Sequence, residues 1–315
     1  MTPSIPETPR ADEALLGILD LLEIAGYDFV TPTPSTHRLI RERSASGDDV
    51  LRDIFGWVRP FRPDQIDGAL FDLMRTAGLL VEDGASRYRS ALRVSCLERR
   101  LFLHSAPTRD NDAVFLGPDS YRFARLLRQV LAAGSPVQRA LDLGSGAGVG
   151  AIVVQDLCPD AEVHASDVNP AALRLVGLNA RHAGLDIRTI KADGLPDAPA
   201  TFELIVANPP YIAGDVGKTY RDGGDDYGAA LALDWVRQCV ERVTPGGRLI
   251  LYTGAAVVAG RDVVRDALIA LTTKTGLMLD YDEIDPDVFG RTLRQKAYRD
   301  VERIAAVGAV LTVPG

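Results

Sequence analysis

Ala140-Leu141-Asp142-Leu143 runs directly into Gly144-Ser145-Gly146-Ala147-Gly148, and this stretch decides the fold. Its first four residues, apolar apart from Asp142, read as a short buried strand. Glycine at three alternate positions lets the backbone turn sharply and lets a ligand approach the main chain. The helix expected after Gly148 begins with N–H groups that have no partner inside the helix, a ready site for an anionic or polar ligand group. A dinucleotide fingerprint needs glycine at the first, third and sixth loop positions. Counted from Gly144 the sixth position is Val149, so that fingerprint is not met.

Working outward, strand and helix patterns alternate. Residues 161–166, 187–191, 202–207 and 248–253 read as strands, and Pro170 to His182 as a helix. Residues 278–284 and 306–313 supply two last strands. This alternation predicts an α/β fold, a doubly wound, mostly parallel seven-stranded sheet over residues 111–315. Strand ends in such sheets hold ligands. The second strand ends in Ser166-Asp167-Val168-Asn169-Pro170, where the Asp167 carboxylate can accept hydrogen bonds from both hydroxyls of a ribose. The third ends in Lys191-Ala192-Asp193-Gly194. Each aspartate alone is as readily a turn or cap residue; three successive strands ending this way argue for a cofactor.

The fourth strand ends in Asn208-Pro209-Pro210-Tyr211. Two prolines donate no hydrogen bond and stop a central strand, stiffening the backbone as it leaves the sheet. A planar amide or ring amino nitrogen has a delocalised lone pair and is a poor nucleophile. Two acceptors gripping its N–H bonds would draw it toward tetrahedral geometry; the Asn208 side-chain oxygen and the Pro209 carbonyl are the candidates. Tyr211 offers a flat face on which a planar substrate can stack for in-line attack.

Residues 1–110 have a different pattern. Asp12 to Ala25 carries apolar residues at helical spacing and stops at Gly26. Pro63-Asp64 opens a second helix with Ile66, Leu70, Leu73 and Met74 on one face, closed by Gly78. Asp83-Gly84 then signals a hairpin, with residues 87–95 and 100–104 as strands. The expectation is a smaller N-terminal helical, winged-helix-like domain that recognises substrate, with Met74 and Trp57 in its packing. Arg87, Arg89, Arg93, Arg99 and Arg100 mark its hairpin. They read either as a patch for phosphates or an acidic peptide, or, with more weight, as a solvated face with Leu92 or Val94 turned inward. The 14 arginines of this region face 17 Asp and Glu, and no aromatic residues interleave the arginine cluster as base-stacking platforms would require.

The loop Asp142-Leu143-Gly144-Ser145-Gly146-Ala147-Gly148 resembles motif I of the class I S-adenosylmethionine (SAM) methyltransferases, and Asn208-Pro209-Pro210-Tyr211 resembles motif IV of their amino-methylating members. Within these, residues 135–255 are most similar to the HemK/PrmC protein glutamine N5-methyltransferases. Arg221-Asp222-Gly223-Gly224-Asp225-Asp226-Tyr227-Gly228 is similar to the glycine-rich acidic segment that follows motif IV there. The resemblance implies SAM as cofactor, held by Asp142, Gly144, Ser145, Gly146, Gly148, Asp167, Val168, Asp193, Gly194 and Asn208. It implies catalysis by Asn208, Pro209 and Tyr211, with substrate contacts from Pro210, Tyr211 and Tyr121. The chain departs from the group before the sheet, where Phe115-Leu116-Gly117-Pro118-Asp119-Ser120-Tyr121-Arg122-Phe123 replaces a proline- and glutamate-containing stretch. It departs again in an extra residue before Gly228, and in a longer connection from Asp285 to Arg303. These are places where substrate would be contacted.

Across 315 residues the formal net charge is −8, which weighs against a general affinity for nucleic acid backbone. The first reading is therefore methylation of an amide or amino nitrogen of a protein, peptide or small molecule. The alternative is an exocyclic amine of RNA or DNA (adenine N6 or guanine N2). A third reading, a SAM-fold binding module without catalysis, leaves Asn208 without a chemical role. Cys96, Cys158 and Cys239 form no CxxC pair and four histidines fall into no ligand spacing, so neither a disulfide framework nor a metal is expected. With no long apolar run, a cytoplasmic protein without membrane partners is the expectation. Residues 214–228, rich in glycine and charge, are a candidate lid.

Overall fold

A computed structural model describes residues 5–43, 49–84, 86–108, 110, 112–132, 136–197, 201–213 and 223–315. Its first helix, α1 (Pro9–Ile24), starts where Thr8 accepts from the Ala11 N–H at 3.2 Å and Pro9 presets the first turn. Leu15, Ile18, Leu19 and Leu22 form its buried stripe. Then come α2 (Pro34–Glu42) and α3 (Gly68–Thr76). The helix expected from Pro63 begins five residues later. Pro63–Gln65 is a single 3₁₀ turn, and the Asp67 carboxylate caps α3 by accepting from Ala69 N at 2.7 Å. Gly78 ends it with φ of +69°, a conformation open to glycine.

Two hairpins follow. Strands β1 (Leu80–Glu82) and β2 (Tyr88–Ser90) pair around Asp83-Gly84, and β3 (Leu92–Leu97) pairs with β4 (Arg100–Ser105). The strand expected over 87–95 is thus divided, and the Ser90 hydroxyl donates to Leu92 O across the break. The expected alternation of β3 also fails. Leu92, Arg93, Val94 and Ser95 are all buried, because both faces of the strand are covered.

In the rest of the chain α4 (Pro118–Leu131) precedes β5 (Arg139–Leu143), α5 (Val149–Leu157), β6 (Glu162–Asp167), α6 (Pro170–His182), β7 (Ile187–Lys191) and β8 (Phe202–Ala207). The short turn α7 (Asp225–Gly228), α8 (Ala230–Val240), β9 (Val243–Val258), β10 (Arg261–Asp262), α9 (Val263–Thr275), β11 (Met278–Asp285) and β12 (Arg303–Thr312) complete it. The sheet order is β11-β12-β9-β8-β5-β6-β7, with β10 attached to the end of β9. From β9 to β7 all neighbours are parallel, and β12 is antiparallel to both β9 and β11. The seven-stranded, mostly parallel sheet is as expected.

Side chains alternate between two cores. Leu204 and Val206 of β8 join the helices α4 to α6, while Ile205 and Ala207 join α8 and α9. The first core continues without a break into the N-terminal segment, since Leu15 and Ile18 share it with Leu175 and Val176. Arg174 pairs with Asp12 at 2.6 Å, and Arg100 forks onto Asp156 while donating to Ala183 O at 2.8 Å. Asn179 ties three pieces together. It accepts from Leu103 N and donates to the carbonyls of Leu103 and Ala147, linking β4 to the glycine loop.

Candidate active site

The carboxyl ends of β5, β6, β7 and β8 lie side by side, which brings the three glycines, Asp167, Asp193 and Asn208 to one edge. Gly144, Gly146 and Gly148 have φ of +70°, +53° and +83°. These angles, which L side chains rarely adopt, are why glycine recurs at alternate positions. A Cβ on Gly144 would also sit 2.6 Å from the Trp235 ring of α8, so that indole packs on the loop. Nothing in the sequence around Trp235 distinguishes it from an ordinary helix-packing residue.

The two aspartates of the loop region divide the work. Asp167 is half-buried; its carboxylate accepts from Gly146 N and Asn169 N, both at 2.9 Å, and so joins the end of β6 to the loop. Burial raises its pKa, against the pull of those N–H groups. Each oxygen keeps a lone pair for another donor. Asp142 is fully buried and accepts from Ala151 N at 2.8 Å in the first turn of α5; a Cβ on Gly150 would lie 2.6 Å from it. Burial first, and then the Asp167 charge, push Asp142 up to about 7. Its carboxyl braces the loop against α5.

Val168 is 43% exposed beside Asp167, an apolar surface at a strand end. Asp193 is exposed, and Gly194 (φ +80°) faces Gln238 and Trp235. The Ser145 hydroxyl is buried without a hydrogen-bond partner among the described residues. A nucleoside bearing an amino acid fits these groups: hydroxyl acceptors on Asp167, an apolar flank on Val168, and an unspent hydroxyl at Ser145.

At the end of β8 the Asn208 side chain is half-buried and makes no hydrogen bond among the described residues, while Pro209 is buried. Tyr211 is placed by its neighbours. Its ring packs on Gly254, where a Cβ would come within 2.6 Å, and meets Phe289 edge-on at 5.6 Å. Its hydroxyl reaches Asp119, and burial drives its pKa well up. Asp119 is 4% exposed in the first turn of α4 and accepts from Tyr252 Oη at 2.8 Å. Burial raises its pKa too, and Arg122 links it to Asp285. In the sequence Asp119 reads only as a favourable acid at a helix start.

Tyr121, expected with Asn208, is turned away. Its hydroxyl accepts from Thr31 N at 3.0 Å, buttressing the N-terminal segment. On a helix the side chain two residues on from Asp119 faces another direction. Tyr298 takes a role near the reacting end that the sequence does not signal. Its buried hydroxyl accepts from Ala213 N at 2.7 Å and donates to Tyr227 O at 3.1 Å, clamping both sides of the acidic segment. Asp226 and Tyr227 are held at φ of +54° and +57°, and Gly223 and Gly228 press on the Tyr211 backbone. Of the candidate lid, residues 214–222 lie outside the described residues, and with them Arg221 and Asp222. The hairpin arginines do not form one face. Arg89 pairs with Asp83 and Arg100 with Asp156, while Arg93 is buried.

Residues 121–257 match the family described as methyltransferase small domain. The chain is 44% identical over 82 residues to a release factor glutamine methyltransferase of Bordetella pertussis, covering 25% of this chain and 30% of that protein. It is 32% identical to a ribosomal protein uL3 glutamine methyltransferase of Bradyrhizobium diazoefficiens, over 49% of this chain and 50% of that one. The chain thus spans about a third to a half of these relatives' own length. Among solved structures, Trm5b from Pyrococcus abyssi shares the fold at 14% identity with a TM-score of 0.50, over 80% of this chain and 68% of that one. Among the described residues no helix is long and apolar enough to cross a membrane. Sheet order and sequence likeness point the same way: residues 121–257 match a methyltransferase domain, and the chain is similar over part of its length to release factor and uL3 glutamine methyltransferases.

Proposed function

We propose that the protein is a SAM-dependent N-methyltransferase whose acceptor is a planar amide nitrogen, a glutamine side chain of a protein. One observation carries this reading: Asn208-Pro209-Pro210-Tyr211 leaves β8 beside the glycine loop with the Asn208 amide free of partners among the described residues. The names of the curated relatives, which act on release factor and on ribosomal protein uL3, support a protein acceptor.

SAM, when bound, supplies a methyl group on a sulfonium that is its own leaving group. Asp167 and Val168 would hold its nucleoside end, and the loop from Gly144 to Gly148 its amino acid end. The protein's own task is then to prepare the nitrogen. Asn208 Oδ1 and Pro209 O accept the two N–H bonds of the amide and localise its lone pair; the nitrogen gains the methyl and releases one proton. Tyr211, fixed by Gly254, Phe289 and Asp119, limits how the amide plane can lie. Residues 1–110 form the substrate-recognition domain ahead of the catalytic domain at 111–315. A cytoplasmic location suits this reading.

The test follows labelled methyl from SAM into cell extract, with protease or nuclease treatment afterwards. Label lost to protease and retained after nuclease supports a protein acceptor. Label lost to nuclease alone rejects it in favour of an RNA or DNA amine.

A further inference from the structure

A cavity of about 640 Å³ lies between α2, the β3–β4 hairpin and residues 113–116. It belongs to neither the cofactor loop nor the strand end that carries Asn208. Its volume is that of a ligand site. Arg93 lines it, only 5% exposed, and its Nε and Nη2 are buried with no hydrogen-bond partner among the described residues. Its guanidinium carbon lies 5.7 Å from the centre of the Phe29 ring, and Tyr27, Tyr121 and Arg41 are within electrostatic reach. Burial pushes the Arg93 guanidinium down to about 10, which leaves it charged at neutral pH.

A buried charge without a counter-ion is a standing penalty, and folds keep one when a partner arrives. The wall groups do not supply that partner. His37 and His104 line the cavity, and burial lowers both, His37 to about 4, so both are neutral. Half-buried Arg41 and exposed Arg38 add positive charge; Glu42 is the one carboxylate among the described lining residues. The wall is built firmly: Arg59 donates to the carbonyls of Ile40 and Arg43 and holds the end of α2 in place. The cavity is also joined to the reacting end. Residues 113–116 lead into Gly117 and Asp119, and Phe115 O lies 3.9 Å from the Cβ position of Gly146.

We infer that this cavity is an anchoring site for a carboxylate, an acidic side chain of the protein acceptor, held by the Arg93 guanidinium with Arg41 beside it. A planar fork of N–H donors matches a carboxylate. A nucleic acid would need a continuous basic stripe, and a chain of net charge −8 offers here one buried cation rather than a track. This inference rests on the protein-acceptor reading.

The test is calorimetric titration of the full chain with acetyl-Gly-Glu-Gly-amide, with its Gln counterpart, and with a short RNA oligonucleotide. The Glu peptide should bind at least tenfold more tightly than the Gln peptide. Arg93→Met should abolish that preference and raise the melting temperature, because an unpartnered buried charge is removed, with SAM affinity unchanged. Arg41→Gln, at a half-buried position that folding tolerates, should weaken the Glu peptide severalfold. Equal binding of the two peptides overturns the inference, as does full retention of the preference in both variants. RNA binding that disappears in Arg93→Met while neither peptide binds also overturns it. Loss of the protein-acceptor reading would show separately, as methyl label in nucleic acid while the Glu-peptide preference persists.

Discussion

The edge of the sheet and the segments gathered around it are built on opposite plans. At the edge each functional group sits at the end of the strand that delivers it: the glycines after β5, Asp167 after β6, Asn208 after β8. Around it the groups come from far apart in the chain. Asp119 meets Tyr252, Tyr298 clamps Ala213 and Tyr227, and Asn179 ties β4 to the loop. In the proposed function the edge would carry cofactor and chemistry, while the surround holds the edge in position. Removing an edge group should therefore damage function with little loss of stability, and removing a surround group should do the reverse.

Asn208→Ala should produce the largest effect. Turnover should fall roughly 10²–10³-fold with loss of the proposed acceptor for the reacting nitrogen, while SAM affinity stays within a few-fold. Single-turnover rates alongside calorimetry check this, and unchanged turnover would remove Asn208 from the mechanism. Asp167→Ala comes next. SAM affinity should fall on the order of 10–100-fold with the ribose acceptor and the Gly146 brace both gone. Wild-type affinity would break the assignment of the β6 end to the cofactor.

Asp142 sharpens the comparison, because it lies in the edge motif yet behaves as a surround group. Its folded pKa is raised from 3.8 to about 7, so the fold prefers the neutral acid. The stability it contributes is present below pH 4 and is lost as pH rises through about 7. Asp142→Asn should therefore gain on the wild type by about 1–2 kcal/mol across that window, a discounted share of the roughly 1.4 kcal/mol per pKa unit. Urea unfolding of both proteins at several pH values reads this, and parallel stability curves would contradict it. The smallest effect belongs to Tyr298→Phe, which deletes one hydroxyl with two backbone partners. It should cost about 0.5–1.5 kcal/mol of stability. Calorimetric melting tests it; an unchanged melting temperature would remove the clamp.

Several expectations failed for identifiable reasons. The helix start at Pro63 gave way to Asp67 because a carboxylate cap outcompetes a proline that sits in a lone turn. Arg93 was expected on a solvated face, an inference that assumes one face of a hairpin meets water. Here β4 packs against α6 and β3 against the helical turn Arg52–Gly56, so arginine and leucine alike are buried. Helical rotation turns Tyr121 from Asp119's neighbours toward Thr31, from whose N–H its hydroxyl accepts.

The sequence by itself determined the sheet, its parallel character and the residues at its carboxyl edge. Strand, glycine turn and capped helix are local events, governed by hydrophobic period, backbone freedom at glycine and the missing donors of proline, all of which act within a few residues. Tertiary structure alone decided the rest. It put Asp142 behind the loop, set Tyr211 against Gly254 and Phe289, joined Asp119 to Tyr252, and buried Arg93 in a cavity wall. Those placements depend on which distant side chains share a low-dielectric interior, and burial of that kind leaves no period in the chain.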